Sequence, residues 1–480
     1  MADICVIYAS EDEDVVENLV NLLRNDWDVW WARDISYGPF EEHIRNAIKD
    51  AKAVLPVISG YISSKPIFQD ELDIARKQNK PVFPFLISDV DMPLGHGRMN
   101  RTDAFGWNGD DGHKGFKQVR EKISKVVSPS KSSNGELLRP NQVIIRGKTL
   151  KLPSFVFSLS SHETQIGPQD GINLFRAFMP ATGLVSAYDA WDLISKKKPF
   201  IGSVKQLMKT NHVLFLDSGN YEASRKNDRK SPENASGWSV EKYREVAATI
   251  SPDIAFSFDH TKPTGKVDQV VKSIVRSFRD DENAIVRRDF PLCPIVHLPQ
   301  GEVRTIAERA AHLIAAVAGE LDPIMIAIPE RELGDGLRER FVTVLQMRKA
   351  LNALGKYYPL HLLGTGNPIT MRALAVAGAD SFDGLEWCRT VADYDNGRLH
   401  HFQHLDLFQD IYLLRLQQKT KDAIENPKVE YNGKVGAYNL DFFSDWAKTT
   451  QDMIHTGQGE YLLKLAVPNI GATLCKELGK

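Results

Sequence analysis

Acidic and imidazole side chains stand at the ends of apolar runs along this 480-residue sequence. Val213-Leu214-Phe215-Leu216 ends in Asp217, Ile254-Ala255-Phe256-Ser257-Phe258 in Asp259, Pro294-Ile295-Val296 in His297, and Ser381-Phe382 in Asp383. Two further runs end without an acid at the first position: Ile324 to Ile328 leads into Pro329-Glu330, and Leu360 to Leu363 into Gly364-Thr365-Gly366. Nearer the amino terminus, Val54 to Ser59 is followed by Ser63-Ser64-Lys65-Pro66-Ile67-Phe68-Gln69 and the carboxylate pair Asp70-Glu71. Carboxylates and imidazoles converging at strand ends can relay protons or attack an electrophilic carbon. Taken singly, each of these residues also suits a turn or a cap, and Asp70 and Glu71 suit the positive end of a helix dipole.

Positioning such groups requires strands that end at a common edge. Residues 3–9, 27–32, 54–59 and 82–87 read as strands. A helix opened by Ser10-Glu11-Asp12-Glu13 as a cap and carrying Val15, Leu19, Leu22 and Leu23 at helical spacing, and helices over 40–49, 70–77 and 116–127, alternate with them. That alternation predicts an α/β unit over residues 1–127, a parallel sheet covered by helices on both faces. Ser128-Pro129-Ser130-Lys131-Ser132-Ser133-Asn134-Gly135 is small, polar and breaker-rich, and residues 128–141 read as a linker. From residue 142 to 480 the longer strand–helix alternation, with helices such as 303–318 and 332–354, predicts a (β/α)8 barrel. In such a barrel Asp217, Asp259, His297 and Asp383 would meet at the carboxyl-end mouth.

Composition narrows the class. Hydrophobic content of 42% and charged content of 25% are those of a globular protein, and a net charge of −2 argues against indiscriminate nucleic-acid binding. Cys5, Cys293, Cys388 and Cys475 lie far apart, which gives neither a zinc ribbon nor a disulfide framework. With no apolar stretch near the roughly 20 residues that span a bilayer, a cytoplasmic protein without membrane contact is expected.

The first 127 residues resemble the Toll/interleukin-1 receptor (TIR) domain. The opening strand with Ser10-Glu11-Asp12 is similar to its first signature box, residues 33–40 (Arg33-Asp34-Ile35-Ser36-Tyr37-Gly38-Pro39-Phe40) take the place of its BB loop, and Asp70-Glu71-Leu72 follows in the family's order. The resemblance implies a flavodoxin-like fold, self-association, and NAD+ as substrate, with Glu71 as the residue that assists loss of nicotinamide. That reaction builds oxocarbenium character on the ribose, which one carboxylate can stabilise, and nicotinamide leaves neutral without a general acid. Ser10, Trp30, Trp31, Asp34 and Phe68 are the candidate substrate contacts. Trp30, Trp31 and Phe68 are alternatives for nucleotide stacking, because Lys65-Pro66-Ile67-Phe68 stands where many members carry a Trp. Strand alternation also allows one tryptophan of the pair to be core and the other half-exposed. Adaptor members of the family only assemble.

Most of residues 150–465 resembles tRNA-guanine transglycosylase, a barrel enzyme that exchanges a base on nucleic acid. Leu216-Asp217-Ser218-Gly219-Asn220-Tyr221 is similar to its DSGG-aromatic motif, Phe258-Asp259 to its base-binding Asp motif, and Leu363-Gly364-Thr365-Gly366-Asn367-Pro368 to a phosphate-type turn. The segment from Asp383 to Arg389 resembles the nucleophile segment, and Tyr438-Asn439-Leu440 the start of the last helix. The resemblance implies an acid/base role for Asp217, nucleophilic attack by Asp383, base contact by Asp259, and ligand contacts by Gly364, Gly366 and Arg389. Departures are plain. The CxCxxC zinc cluster is missing and Tyr438 replaces its His, so no zinc is expected. Asn220 replaces a Gly, Glu222 a Gln, His297 a base-binding Gln, and Pro329-Glu330 a Gly-Gly, side chains that would block or reshape a guanine pocket.

Together the halves imply an NAD+-consuming TIR effector governed by a sensor barrel that takes a nucleoside, nucleotide or nucleic-acid end, an architecture that resembles bacterial anti-phage systems. The alternatives are a base-exchange transglycosylase with the TIR domain as an assembly module, and a non-enzymatic scaffold.

Overall fold

The computed structural model describes residues 2–24, 26–31, 40–62, 66–93, 99–110, 112–127, 137, 139–162, 164–196, 199–220, 223, 237–259, 263–285, 288–299, 304–408, 411 and 413–479. Asp34 with the loop 33–39, Ser63 to Lys65, the 128–135 stretch, Tyr221, Glu222 and His260 lie outside the described residues. The chain divides into two compact units, residues 1–139 and 140–480.

In the first unit five parallel strands, β1 (Ile4–Ile7), β2 (Val29–Trp30), β3 (Ala53–Ile58), β4 (Phe85–Leu86) and β5 (Thr102–Asp103), run in the order β2-β1-β3-β4-β5. This is the flavodoxin-like order, whose switch point lies between β1 and β3. Strand alternation divides the core. Ile4, Val6, Leu55 and Val57 face α1 (Glu13–Leu23) and α4 (Lys114–Ser124), whereas Cys5, Ile7, Val54 and Ile58 face α2 (Phe40–Asp50) and α3 (Pro66–Lys77). Strand β5 lies in the polar stretch that the sequence left unassigned. The run at 82–87 is broken by Pro84 into an isolated bridge at Val82 and the short β4.

In the second unit eight parallel strands form the barrel: β8 (Ser154–Leu159), β9 (Thr182–Ser186), β10 (Val213–Asp217), β11 (Ile254–Phe256), β12 (Leu292–Cys293), β13 (Ile326–Pro329), β14 (Leu360–Leu363) and β15 (Ser381–Gly384). β15 pairs with β8, and a parallel bridge between Ile295 and Ala327 joins β12 to β13. A hairpin, β6 (Gln142–Ile145) with β7 (Lys148–Lys151), brings Ile145 and Leu150 against the inward core of Val156, Phe215 and Phe256. Its Lys148 caps the chain before β10 and β11 by donating to the His212 carbonyl and to Asp253 Oδ2, at 2.7 and 2.8 Å.

The period of two decides which polar residues enter the barrel. Leu214 and Leu216 pack outward on helices, so Phe215 and Asp217 point in. The same parity turns Ser158, His361 and Asp383 inward from β8, β14 and β15.

One buried ion pair fixes the register of β15. Asp380, fully buried, accepts from Leu360 N at 2.8 Å and Tyr357 OH at 2.7 Å and pairs with Arg348. Arg348 also donates to the carbonyls of Tyr358 and Gly378, at 2.9 and 3.0 Å. Arg348→Ala strands a buried carboxylate and is expected to cost the barrel about 3–5 kcal/mol, measurable by urea unfolding; a loss under 1 kcal/mol would mean that water reaches Asp380.

Candidate functional sites

Glu71 lies on the inward face of α3. The helix begins at Pro66, a residue favoured at a first helical position, and not at Asp70 as the sequence implies. Both acids are therefore past the first turn, which removes the dipole explanation. Phe68, Leu72 and Ala75 form the apolar stripe of α3, and Glu71, at i+3 from Phe68, shares it. The residue is 8% exposed, while Asp70 faces solvent. Burial, reinforced by the Asp70 charge, lifts the Glu71 carboxyl from 4.5 to about 7. The Cys5 thiol of β1 is in turn pushed up by burial and by the Glu71 charge. An ionisable group on an apolar stripe breaks the local pattern, as functional groups do.

The other candidates in this unit divide. Phe68 (2% exposed) and Trp31 (4%) pack in the core, which corrects their assignment as stacking platforms: neither offers a face to a nucleotide. Trp30 is partly exposed against the second core layer. Ser10 is exposed and donates to Glu11 Oε2 at 3.0 Å. Asp12, read from sequence only as cap and motif, is the buried acid at the switch point. It makes no capping bond; instead its Oδ2 accepts from Ser59 Oγ at 2.6 Å, tying the end of β1 to that of β3, and burial raises its pKa.

In the barrel a cavity of about 340 Å³ opens at the carboxyl ends of the strands, with Asp217, Asp259, His297, Gly364, Asp383 and Arg389 all on its wall. Asp383 is held by three neighbours: Ser158 Oγ donates to Oδ2 at 2.7 Å, and Gly364 N and His361 Nε2 lie 2.9 and 3.2 Å from Oδ1. Gly364 thus serves the carboxylate through its amide. Asp217 accepts from Gly219 N at 2.9 Å, yet burial, and next the charge of Asp259, hold its carboxyl above the ordinary range. One carboxylate fixed by donors and another biased toward its acid form are the two roles that displacement at an anomeric carbon requires.

Each oxygen of the Asp259 carboxylate accepts a side-chain hydrogen bond. Ser218 Oγ donates to Oδ1 at 2.7 Å and His297 Nε2 to Oδ2 at 2.9 Å, while His297 Nδ1 lies 2.7 Å from Glu332 Oε1. Burial alone would lower His297, but the bonds to Asp259 and Glu332 outweigh it and lift the imidazole to about 9. His297 therefore clamps Asp259 as a cation. Because its folded value lies above the usual 6.5, the clamp contributes its full stability below about pH 6.5 and loses it as the pH rises through about 9. The barrel is expected to melt a few degrees lower at pH 9.5 than at pH 7, and His297→Gln to flatten that slope in calorimetry.

Two expectations change. Glu330 pairs with Arg340 and turns away from the cavity, so it does not obstruct it; Pro329 and Arg331 line the wall there. Gly366 approaches the Glu386 side chain, where a β-carbon would overlap that carboxylate, so its closeness serves a protein group. Sequence reading missed Ser158, Glu332 and Glu386. Ser158 was findable once β8 was recognised, by parity with Val156; Glu332 and Glu386 follow turns whose course no periodicity gives.

Tyr438 and Asn439 lie well inside the helix Tyr431–His455, not at its start. Asn439 Nδ2 donates to the Trp387 and Thr390 carbonyls at 2.7 and 2.6 Å, bracing the segment after Asp383. Tyr438 OH, at the position of the family's zinc-binding His, bonds the Ala392 carbonyl at 3.1 Å. Among the described residues no three His, Cys, Asp or Glu side chains are grouped to hold a metal.

A flavodoxin-like unit that buries Asp3, Asp12 and Glu71 and a (β/α)8 barrel with paired carboxylates define a two-domain α/β protein. Family models give the particular members: residues 4–120 match the TIR domain, and residues 186–398 match queuine tRNA-ribosyltransferase. The chain is a TIR domain fused to a tRNA-guanine transglycosylase-like barrel. No curated protein matches it.

Proposed function

We propose that the TIR domain cleaves the nicotinamide–ribose bond of NAD+, giving nicotinamide and ADP-ribose or its cyclic form, and that the barrel governs this activity by binding a nucleoside, nucleotide or nucleic-acid end. The observation that carries the first part is Glu71: an ionisable carboxyl on the apolar stripe of α3, raised by burial to about 7. Its negative charge would stabilise the oxocarbenium-like ribose as the neutral nicotinamide departs, and water or a group of the same ADP-ribose then takes C1′. Tyr61 and Ile67, exposed by 54% and 52%, give self-association an apolar surface close in sequence to Glu71. Depletion of NAD+ would be the output, as in anti-phage defence. The proposal places the protein in the cytoplasm; among the described residues no helix is long and apolar enough to cross a membrane.

A second reading, glycosyl exchange by the barrel itself, is favoured by the seating of Asp383 beside the raised Asp217 in one cavity. Zinc has no part in either reading. The deciding experiment incubates the concentrated full-length protein with NAD+, with and without candidate nucleotides and nucleic acids, and follows nicotinamide. Release dependent on Glu71 supports the TIR reading. Absence of release under every condition leaves the barrel or a scaffold role.

A further inference from the structure

Glu386 belongs to the cavity wall three residues beyond Asp383, on the short turn Glu386–Cys388. Two glycines make room for it: a β-carbon on either Gly366 or Gly384 would run into its carboxylate. Its Oε2 is shielded from solvent and has no hydrogen-bond partner. Burial, the largest effect, raises its pKa with help from the Asp383 charge, against hydrogen bonds from the Glu386 and Leu385 backbone and the charge of Arg389. Leaving a buried acceptor unmatched is costly, and an unmatched acceptor in the wall of a cavity is matched when a ligand brings a donor.

The position of Glu386 relative to Asp383 selects the donor. If Asp383 faces C1′ of a sugar, the nearest substituent that can donate is the hydroxyl on the adjoining carbon, C2′. From this placement, and resting on the reading of the barrel as a nucleoside site, we infer that Glu386 accepts a hydrogen bond from the 2′-hydroxyl of the ligand, so that the cavity takes ribonucleotides and discriminates against 2′-deoxyribonucleotides. Gly366 and Gly384 act on this selection by seating the carboxylate. The 2′-hydroxyl is also the group by which proteins tell RNA from DNA, so the same chemistry serves a free ribonucleotide or an RNA end.

The test measures binding to the full-length protein by calorimetry. The probes are the four ribonucleoside 5′-monophosphates and their 2′-deoxy counterparts, and a single-stranded RNA and DNA of one sequence. At least one ribo probe is expected to bind about tenfold or more tightly than its deoxy partner, the worth of a hydrogen bond to a charged acceptor. The monophosphate arm against the oligonucleotide arm separates a free nucleotide from an RNA end. Glu386→Ala should bring the ribo/deoxy ratio to about one, and Glu386→Gln, whose amide oxygen still accepts, should keep part of it. Gly366→Ala, which expels the carboxylate without removing it, should lower the ratio as Glu386→Ala does; circular dichroism checks that each variant is folded. Equal binding of the ribo and deoxy probes by the wild type, or a ratio that survives Glu386→Ala or Gly366→Ala, overturns the inference and leaves the nucleoside reading standing. If no probe binds even at millimolar concentration, the nucleoside reading fails and the inference with it.

Discussion

Glu71→Gln is expected to lower NAD+ consumption by the assembled protein at least about a hundredfold, while the TIR domain stays folded and becomes more stable above pH 7. Gln fills the same space among Phe68, Leu72 and Ala75 and carries no charge into it. The stability effect has a definite sign. The folded carboxyl holds its proton up to about pH 7, against 4.5 for an ordinary Glu, so the wild type loses stability as the pH rises between those values and bears the full penalty above them. Removing that penalty should stabilise the variant by on the order of 2 kcal/mol at pH 8 and by almost nothing at pH 4. The same ionisation should make NAD+ cleavage by the wild type rise with pH through about 7. Nicotinamide release and melting curves at several pH values measure both effects. Undiminished cleavage in Glu71→Gln would move the chemistry to another residue, and a variant no more stable at pH 8 would mean that Glu71 is solvated in the folded protein.

Asp383→Asn is the second large effect. If the barrel exchanges bases, the variant should lose covalent capture of the ribosyl group, with a rate loss of about a thousandfold or more. The fold should survive, because the Asn oxygen can still accept from Gly364 N and His361 Nε2 while its amide donates to Ser158 Oγ, whose lone pairs accept. What disappears is the charge that attacks C1′. Mass spectrometry of the wild type after incubation with an RNA substrate and quench should detect the adduct, and the variant should show none. Absence of the adduct from a wild type that binds nucleotide would make the barrel a sensor. An adduct in Asp383→Asn would assign the attack to another side chain, with Asp217 the first to test.

How much of this was legible before folding differs between the two units. In the TIR domain the alternation of strands and helices gave the sheet and its layers, because period-two and period-3.6 patterns are local. Glu71 was found by its place in a motif. Its burial was not, although Phe68, Leu72 and Ala75 already mark the stripe it shares. Trp31 and Phe68 looked like nucleotide platforms because aromatic type does not reveal which side of a sheet or helix is covered.

In the barrel, Asp217 and Asp383 were legible because each ends an apolar run, and parity with Phe215 and Ser381 turns them inward. The sequence by itself therefore determined two α/β units, the strands that carry the acids, and the residues at their carboxyl ends. Tertiary structure alone decided how those residues are spent. It joined His297 of one strand end to Asp259 of a second and Glu332 of a third, it turned Glu330 onto Arg340, and it set Glu386 against Gly366. The physical reason is that hydrogen bonds and charge pairs between groups 10 to 38 residues apart depend on how loops return across the barrel mouth, and loop paths follow packing, not periodicity.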